Sequence, residues 1–310
     1  MRKRTLSACR LLLLAALFLF WGQVVSQAKT VGIMMTGDIP YYHAIHQALL
    51  EEMSAYFSEH NIEVVLQTPL PNPMSWTNAA RKLKALGSEV IVTYGLPATL
   101  ATMKEVAGTP IIFAGVYSPE TMNIGGNNTT GISSTLALQV VLKKLGEIAR
   151  LSSIGIVYNK TEKDSIIQAK EVKNFEQELG FKTVLLNISS ELEGNKIAGL
   201  DALILTSCSA GMCKPYLPQI VDLARKSKVP TVALISGAES MVVLTFSAAA
   251  QEQGVQTAGM LKKVLAGENP DNLPVQNPAQ VELIVNLKEA QGMGITIPAA
   301  VLDSATKVIE

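Results

Sequence analysis

From residue 29 onwards, short apolar runs alternate with longer stretches in which apolar positions recur every three or four residues. "TVGIMM", "IEVVLQ", "EVIVTY" and "TPIIFAGVY" are rich in β-branched residues and apolar at successive positions, which predicts strands covered on both faces. Between them, "AIHQALLEEMSAYFSEH" and "WTNAARKLKALG" carry the 3.6-residue period of amphipathic helices. The rhythm restarts at "LSSIGIVYN" and runs through "SIIQAKEVKNFEQELG", "KTVLLN", "ALILTS", "LPQIVDLARKSK" and "PTVALIS". This pattern predicts an α/β protein of two Rossmann-like lobes, each a parallel sheet flanked by helices, with a cleft between them. The expected division is 29–148 with about 247–275 in one lobe, and 149–246 with about 276–310 in the other. The Pro- and Asn-punctuated tail after "VVLTFS" and "QEQGVQTAGMLKKVLAG" is long enough to cross between the lobes, giving more than one hinge strand.

The first 28 residues stand apart from this rhythm. "MRKRTLSACR" is basic, "LLLLAALFLFWG" is apolar over 12 residues, and Ser26 and Ala28 are small. This is the layout of a secretory signal peptide cleaved after Ala28, with a retained anchor as the alternative; 12 residues are short for a membrane span, which needs about 20. Delivery to the periplasm is therefore expected. The segment holds Arg2, Lys3, Arg4 and Arg10 and no acid, so its removal takes 4 from 26 Lys+Arg and leaves 22 against 26 Asp+Glu, a net charge of −4. Such a chain has no basic stripe for nucleic acid. In an exported protein, Cys208 and Cys213 of "TSCSAGMC" are candidates for a local disulfide, with two free thiols or a metal or redox site as alternatives.

Ligands of open parallel sheets bind outside the carboxyl ends of the strands. Here those ends are "TGDIPYY", "YGLPAT", "GVYSPE", "YNKTEKDS", "TSCSAGM" and "SGAES". Five of the seven tyrosines (Tyr41, Tyr42, Tyr94, Tyr117, Tyr158) fall in them, which suggests an amphipathic or aromatic organic ligand held by rings with a polar tip. The alternative is that several are ordinary boundary residues. The same turns offer Thr36, Thr99, Ser118, Ser133, Ser165, Ser207 and Ser236 as hydroxyl donors, and Asp38, Glu120, Asp164 and Glu239 as partners for an ammonium group. Single Ser, Thr and Asp residues also serve as helix caps. Arginine is missing from these turns, which argues against phosphate or dicarboxylate ligands. No nucleotide-loop or nucleophile-elbow motif occurs. His43 and His46, three positions apart, have no third ligand nearby, so a solvated or cleft-rim role is expected rather than a metal site. Catalysis, cofactor and metal are accordingly not expected.

Three segments carry a resemblance to a known family. "GNNTTGIS" (126–133) resembles the Gly-Gly-Asn-x-Thr-Gly turn of ABC-transporter substrate-binding proteins of the type I periplasmic-binding fold, a branch that includes tryptophan- and tyrosine-binding members. "VLAGENPDNLPV" followed by "VNLKEAQGMGITIPAAVLDSATKVI" is similar to that family's carboxyl-terminal signature, which ends in an Ala-rich helix, and "PIIFAGVYSPE" to the strand and loop before its glycine turn. The similarity spans residues 30–310. Asn127 stands in place of the family's second glycine; Ala249, Ala250 and Gln251 stand where a tyrosine pair is common; and Ser236-Gly237 replaces a Ser-Asp. The resemblance implies a monomer whose lobes close by hinge motion on a small molecule, delivered to permease and ATPase subunits in the membrane. The other readings are a sensing partner of a membrane receptor with the same fold, or an exported α/β enzyme.

Overall fold

The structure is a computed structural model in which residues 29–188, 194–208 and 213–310 are described; residues 1–28, where a signal peptide is expected, lie outside them. The first sheet is built from β1 (Lys29–Met35), β2 (Ile62–Gln67), β3 (Val90–Tyr94), β4 (Ile111–Val116) and β5 (Thr129–Ser133), connected by α1 (Pro40–Glu59), α2 (Pro73–Ala85) and α3 (Leu96–Glu105). All its pairings are parallel, in the order β2-β1-β3-β4-β5. Every residue of β3, β4 and β5 is buried, as the continuous apolar runs predict. β2 is an edge strand and half exposed instead, because nothing pairs beyond it. α1, α2 and α3 each begin on a proline in the first turn, where a missing N–H costs nothing.

The second unit begins with α4 (Leu138–Ile148) and continues through β6 (Ser153–Tyr158), α5 (Lys163–Asn174), α6 (Glu176–Leu179), β7 (Lys182–Asn187), α7 (Gly194–Ile197), β8 (Ala202–Leu205), α8 (Leu217–Lys226), β9 (Thr231–Ala233) and β10 (Leu244–Ala248). After α9 (Ala250–Leu265) follow β11 (Val281–Asn286), α10 (Leu287–Met293), α11 (Ala299–Leu302) and β12 (Lys307–Ile309). The sheet order is β12-β11-β10-β9-β8-β6-β7, parallel except where β11 runs against β10. The segment "SIIQAKEVKNFEQELG" is two helices rather than one, joined at Phe175. The final Ala-rich helix that the resemblance implies is present but short. It is the four-residue α11, and the short strand β12 that follows pairs with β11.

Core packing assigns each helix to a sheet. α4 inserts Leu138, Val141, Leu142 and Leu145 beside Ile154, Ile156, Ile204 and Val243 of the seven-stranded unit. α9 does the reverse. It leaves β10 and packs on α1, with Ala258, Met260, Leu261 and Val264 joining Ile45, Leu49 and Met53 in the core of the five-stranded unit. The two helices touch at Gly254, where an added Cβ would stand 2.5 Å from both Ile45 O and the Ala48 Cβ, so only glycine permits the crossing. The chain thus passes between the units three times, at 134–137, 248–250 and 277–280. The passages are tied together: Ser133 N donates to Gln276 O (2.8 Å), and Ala249 N donates to Gln280 O (2.9 Å).

Candidate functional site

The carboxyl ends of the two sheets face each other and enclose two neighbouring cavities. The smaller, about 10 Å³, lies between the units and is walled by Tyr41, Tyr42, Gly115, Tyr117 and Ser134 from one side and by Asp164, Ser207, Leu234, Ser247 and Ala248 from the other. Its walls mix polar and apolar groups. Tyr41 Oη and Ser247 Oγ are buried and have no hydrogen-bond partner among the described residues, a state that protein interiors rarely tolerate without a functional reason. The larger cavity, about 100 Å³, lies in the second unit under the ends of β6, β8 and β9, with Ile39 and Pro40 of the first unit as its roof.

The cleft walls are held by two buried glutamines, one in each unit. Gln168 on α5 receives Ser207 N–H on its Oε1 (2.6 Å) and donates through Nε2 to Ser207 Oγ (2.7 Å). Gln253 on α9 receives Gly115 N–H on Oε1 (2.8 Å) and donates to Ser133 O (2.7 Å). Gly115 sits at φ +67 where the β4–β5 register shifts, so its N–H leaves the ladder and needs that side-chain acceptor.

Polar contacts also cross the cleft. Tyr117 Oη donates to Glu171 Oε2 (2.5 Å), and Ser118 Oγ bridges Glu120 (3.1 Å) and Glu171 (3.5 Å). Burial, with Glu120 nearby, pushes the Glu171 carboxyl above the usual range even though the Tyr117 and Ser118 bonds act in the opposite sense. Lys214 Nζ donates to Asp38 O (2.5 Å) from the opposite unit. Burial raises the hydroxyl pKa of Tyr41 and Tyr117 above the ordinary tyrosine value, so both are neutral donors.

Among the residues marked by sequence, Tyr41, Tyr42, Tyr117, Asp164 and Ser207 line the interlobe cavity, and Tyr158, Cys208, Cys213 and Ser236 line the apolar one. The others line neither. Thr36 Oγ1 caps α3 by accepting from Ala98 N–H (3.0 Å), and Thr99 Oγ1 bonds Gly95 O and Thr93 Oγ1 (2.8 Å each). Ser165 Oγ accepts from Asn159 N–H (2.8 Å) and pairs with Thr206 Oγ1 (2.6 Å). Tyr94 is buried against Tyr42, with its hydroxyl 3.3 Å from His46 Nδ1. These four lie at strand ends or in the first turn of the helix that follows, and serve the strand–helix junctions inside their own units. Asp38 is exposed and pairs with His43 (2.6 Å), which holds its carboxyl below the usual range. Ser133 and Glu239 bond within the chain, the latter to Gly237 N–H (2.7 Å).

Cys208 and Cys213 are joined by a disulfide whose Cα atoms lie 5.9 Å apart, and both line the apolar cavity. Glu162 brings its carboxylate within 4.8 Å of both sulfurs, but sulfurs bonded to each other offer no thiolate to a metal. Sequence reasoning missed Ser134, Ser247, Gln168 and Gln253. None of these announces itself locally, and the two glutamines act on a wall built by a distant segment.

The family described as ABC transporter substrate binding protein matches residues 38–309. A tyrosine-binding protein of Clostridioides difficile (strain R20291) is 22% identical over 273 residues, covering 83% of this chain and 79% of that protein. Among solved structures, a conserved domain protein from Vibrio cholerae superposes with a TM-score of 0.81 at 24% identity, over 91% of this chain and 100% of that one. An ABC domain from Streptococcus pneumonia, solved in complex with L-Trp, gives 0.81 at 22% identity over 91% and 100%. The ligand-free, open form of a Clostridium difficile substrate binding protein with adhesive properties gives 0.73 at 21% over 91% and 99%. Among the described residues, no helix is long and apolar enough to cross a membrane. The chain belongs to the family of ABC transporter substrate binding proteins, extracytoplasmic and non-enzymatic components that bind a small molecule and work with the transporter's other subunits.

Proposed function

We propose that this chain captures a small organic amine with an apolar side group, an aromatic amino acid or a related molecule, in the interlobe cleft. The observation that carries this reading is the set of groups around the interlobe cavity: the Asp164 carboxylate for an ammonium group, with the unpartnered Tyr41 Oη and Ser247 Oγ beside it. Among the described residues no lysine or arginine lines that cavity, which disfavours multiply charged anions. A space of about 10 Å³ holds about one water molecule, so an organic ligand enters only when the lobes part. Hinge motion about the three crossing segments then closes the site. The TM-score against the L-Trp complex is 0.81 and against the ligand-free open relative 0.73, which is in keeping with a closed arrangement. In this reading residues 1–28 direct export and are removed, and a monomer delivers its ligand to a permease and ATPase.

A thermal-shift series on residues 29–310 tests this, using L-tryptophan, L-tyrosine and L-phenylalanine against the corresponding acids without the amine. A ligand at 100 times its Kd adds about 2.7 kcal/mol, which moves the melting point by several degrees. Shifts with the amino acids alone, lost in Asp164→Asn, are expected. No shift with any amino acid would overturn the reading.

A further inference from the structure

The two cavities are neighbours that differ in chemistry. Ile235 lines both. Along the chain adjacent residues divide between them: Pro40 and Thr206 line the apolar cavity, while Tyr41 and Ser207 line the interlobe one. The apolar cavity is the larger, about 100 Å³ against about 10 Å³. Its floor is aliphatic, with Val157, Leu205, Leu217 and Ile220, and its rim carries Tyr158 and Lys214. An apolar space of this kind, partly open at the cleft, forgoes the packing contacts that larger side chains would make. Here it persists although Ala233 and Ala238, both in its lining, are positions where a larger side chain would fill it. An apolar cavity of about 150 Å³ accommodates benzene, so a space of this order matches a branched aliphatic group or a single ring.

Resting on the function proposed above, we infer that this second-lobe cavity is the side-group subsite. The amine of the ligand stays at Asp164, and its apolar portion passes Ile235 into the space beside the Cys208–Cys213 disulfide. Discrimination in such a pocket is chiefly by volume, because most of its lining surface is apolar, and each methylene is worth about 10- to 200-fold in selectivity. The preferred ligand class is therefore an amino compound with a bulky apolar side group, rather than a small or polar amino acid.

The test is calorimetric titration of residues 29–310 with L-tryptophan, L-leucine and L-alanine, on the unmodified chain and on two variants of opposite sense. Ala238→Leu, which fills the cavity, is expected to weaken tryptophan and leucine about tenfold or more relative to alanine. Leu217→Ala, which enlarges it, is expected to move preference towards tryptophan over leucine. If Ala238→Leu does not fold, Leu217→Ala decides alone. Binding by the unmodified chain with affinity ratios unchanged in the variants overturns the subsite and leaves the proposed function standing. Binding of none of the three amino acids to the unmodified chain overturns both.

Discussion

Replacing Gln253 with leucine tests how the cleft wall is held. The side chain is fully buried, and its amide is the acceptor for Gly115 N–H and a donor to Ser133 O, at 2.8 and 2.7 Å. Leucine has a similar volume but neither polar atom, so a buried N–H loses its acceptor and a buried carbonyl loses a donor. An unsatisfied buried group costs about 1–3 kcal/mol; with two affected, one of them a carbonyl that retains a free lone pair, the expected loss is about 3 kcal/mol. For lobes of this size that corresponds to about 6–12 °C in melting temperature, read by scanning calorimetry of residues 29–310. Gln253→Glu sharpens the test. Its carboxyl can accept from Gly115, but it can donate to Ser133 O only when protonated, so burial and that carbonyl both raise its pKa in the folded state. Its stability is therefore fully present below the ordinary carboxylate pKa and is lost as pH rises through the raised value. The same Gln→Leu change at the exposed Gln139 should move stability by no more than about 0.5 kcal/mol. A Gln253→Leu protein melting within about 2 °C of the unmodified chain would refute the reasoning.

Glu171, half-buried against Tyr117 with Glu120 facing it, has a raised pKa when the lobes meet, so lobe closure takes up a proton; closure should be strongest below the ordinary carboxylate pKa and weaken as pH rises through the raised value. Scattering-derived radius of gyration against pH would show this, and Glu171→Gln should flatten the profile; an unchanged profile would sink the idea. Gly254→Ala places a Cβ 2.5 Å from Ile45 O, which requires α9 to move off α1 at a cost of about 1–3 kcal/mol, and denaturant unfolding would detect it. Reducing the Cys208–Cys213 disulfide opens a loop with sequence separation 5, for which chain entropy gives about 2 kcal/mol. A chain whose melting point ignored a reductant, with thiol titration confirming reduction, would contradict that estimate.

The two-unit α/β plan was legible because β3, β4 and β8 are short runs with no polar face, which only a sheet covered on both sides can house. Tyr41, Tyr42, Tyr117 and Ser207 were legible as cleft residues for a related reason, since they follow strands whose ends must open onto the cleft. The same rule misplaced Thr36, Thr99 and Ser165. A hydroxyl at a strand end satisfies the nearest orphan N–H or carbonyl first, and these three find one within a turn or across a neighbouring strand. Gln168, Ser247 and Gln253 were not legible, because each acts through segments at least 39 residues away or from a returning strand. Local patterning carries no signal for such contacts. The exposure of the predicted strand β2 and the existence of the terminal β12 escaped for the opposite reason, since both follow from the sheet order rather than from the local pattern.

The return of α9 to the first unit governs the order in which the protein can be made. As the chain is synthesised, residues 29–133 emerge with all five strands of their sheet, yet the apolar surface of α1 has no cover until 258–264 appear. The nascent first half is thus a sheet with an open greasy flank, and its core closes only after most of the second half has been translated. Non-local closure of this kind is slow and keeps the emerging polypeptide loosely structured. A chain cut after residue 133 should collect in aggregates, whereas one ending just past 273 should already hold a finished first lobe.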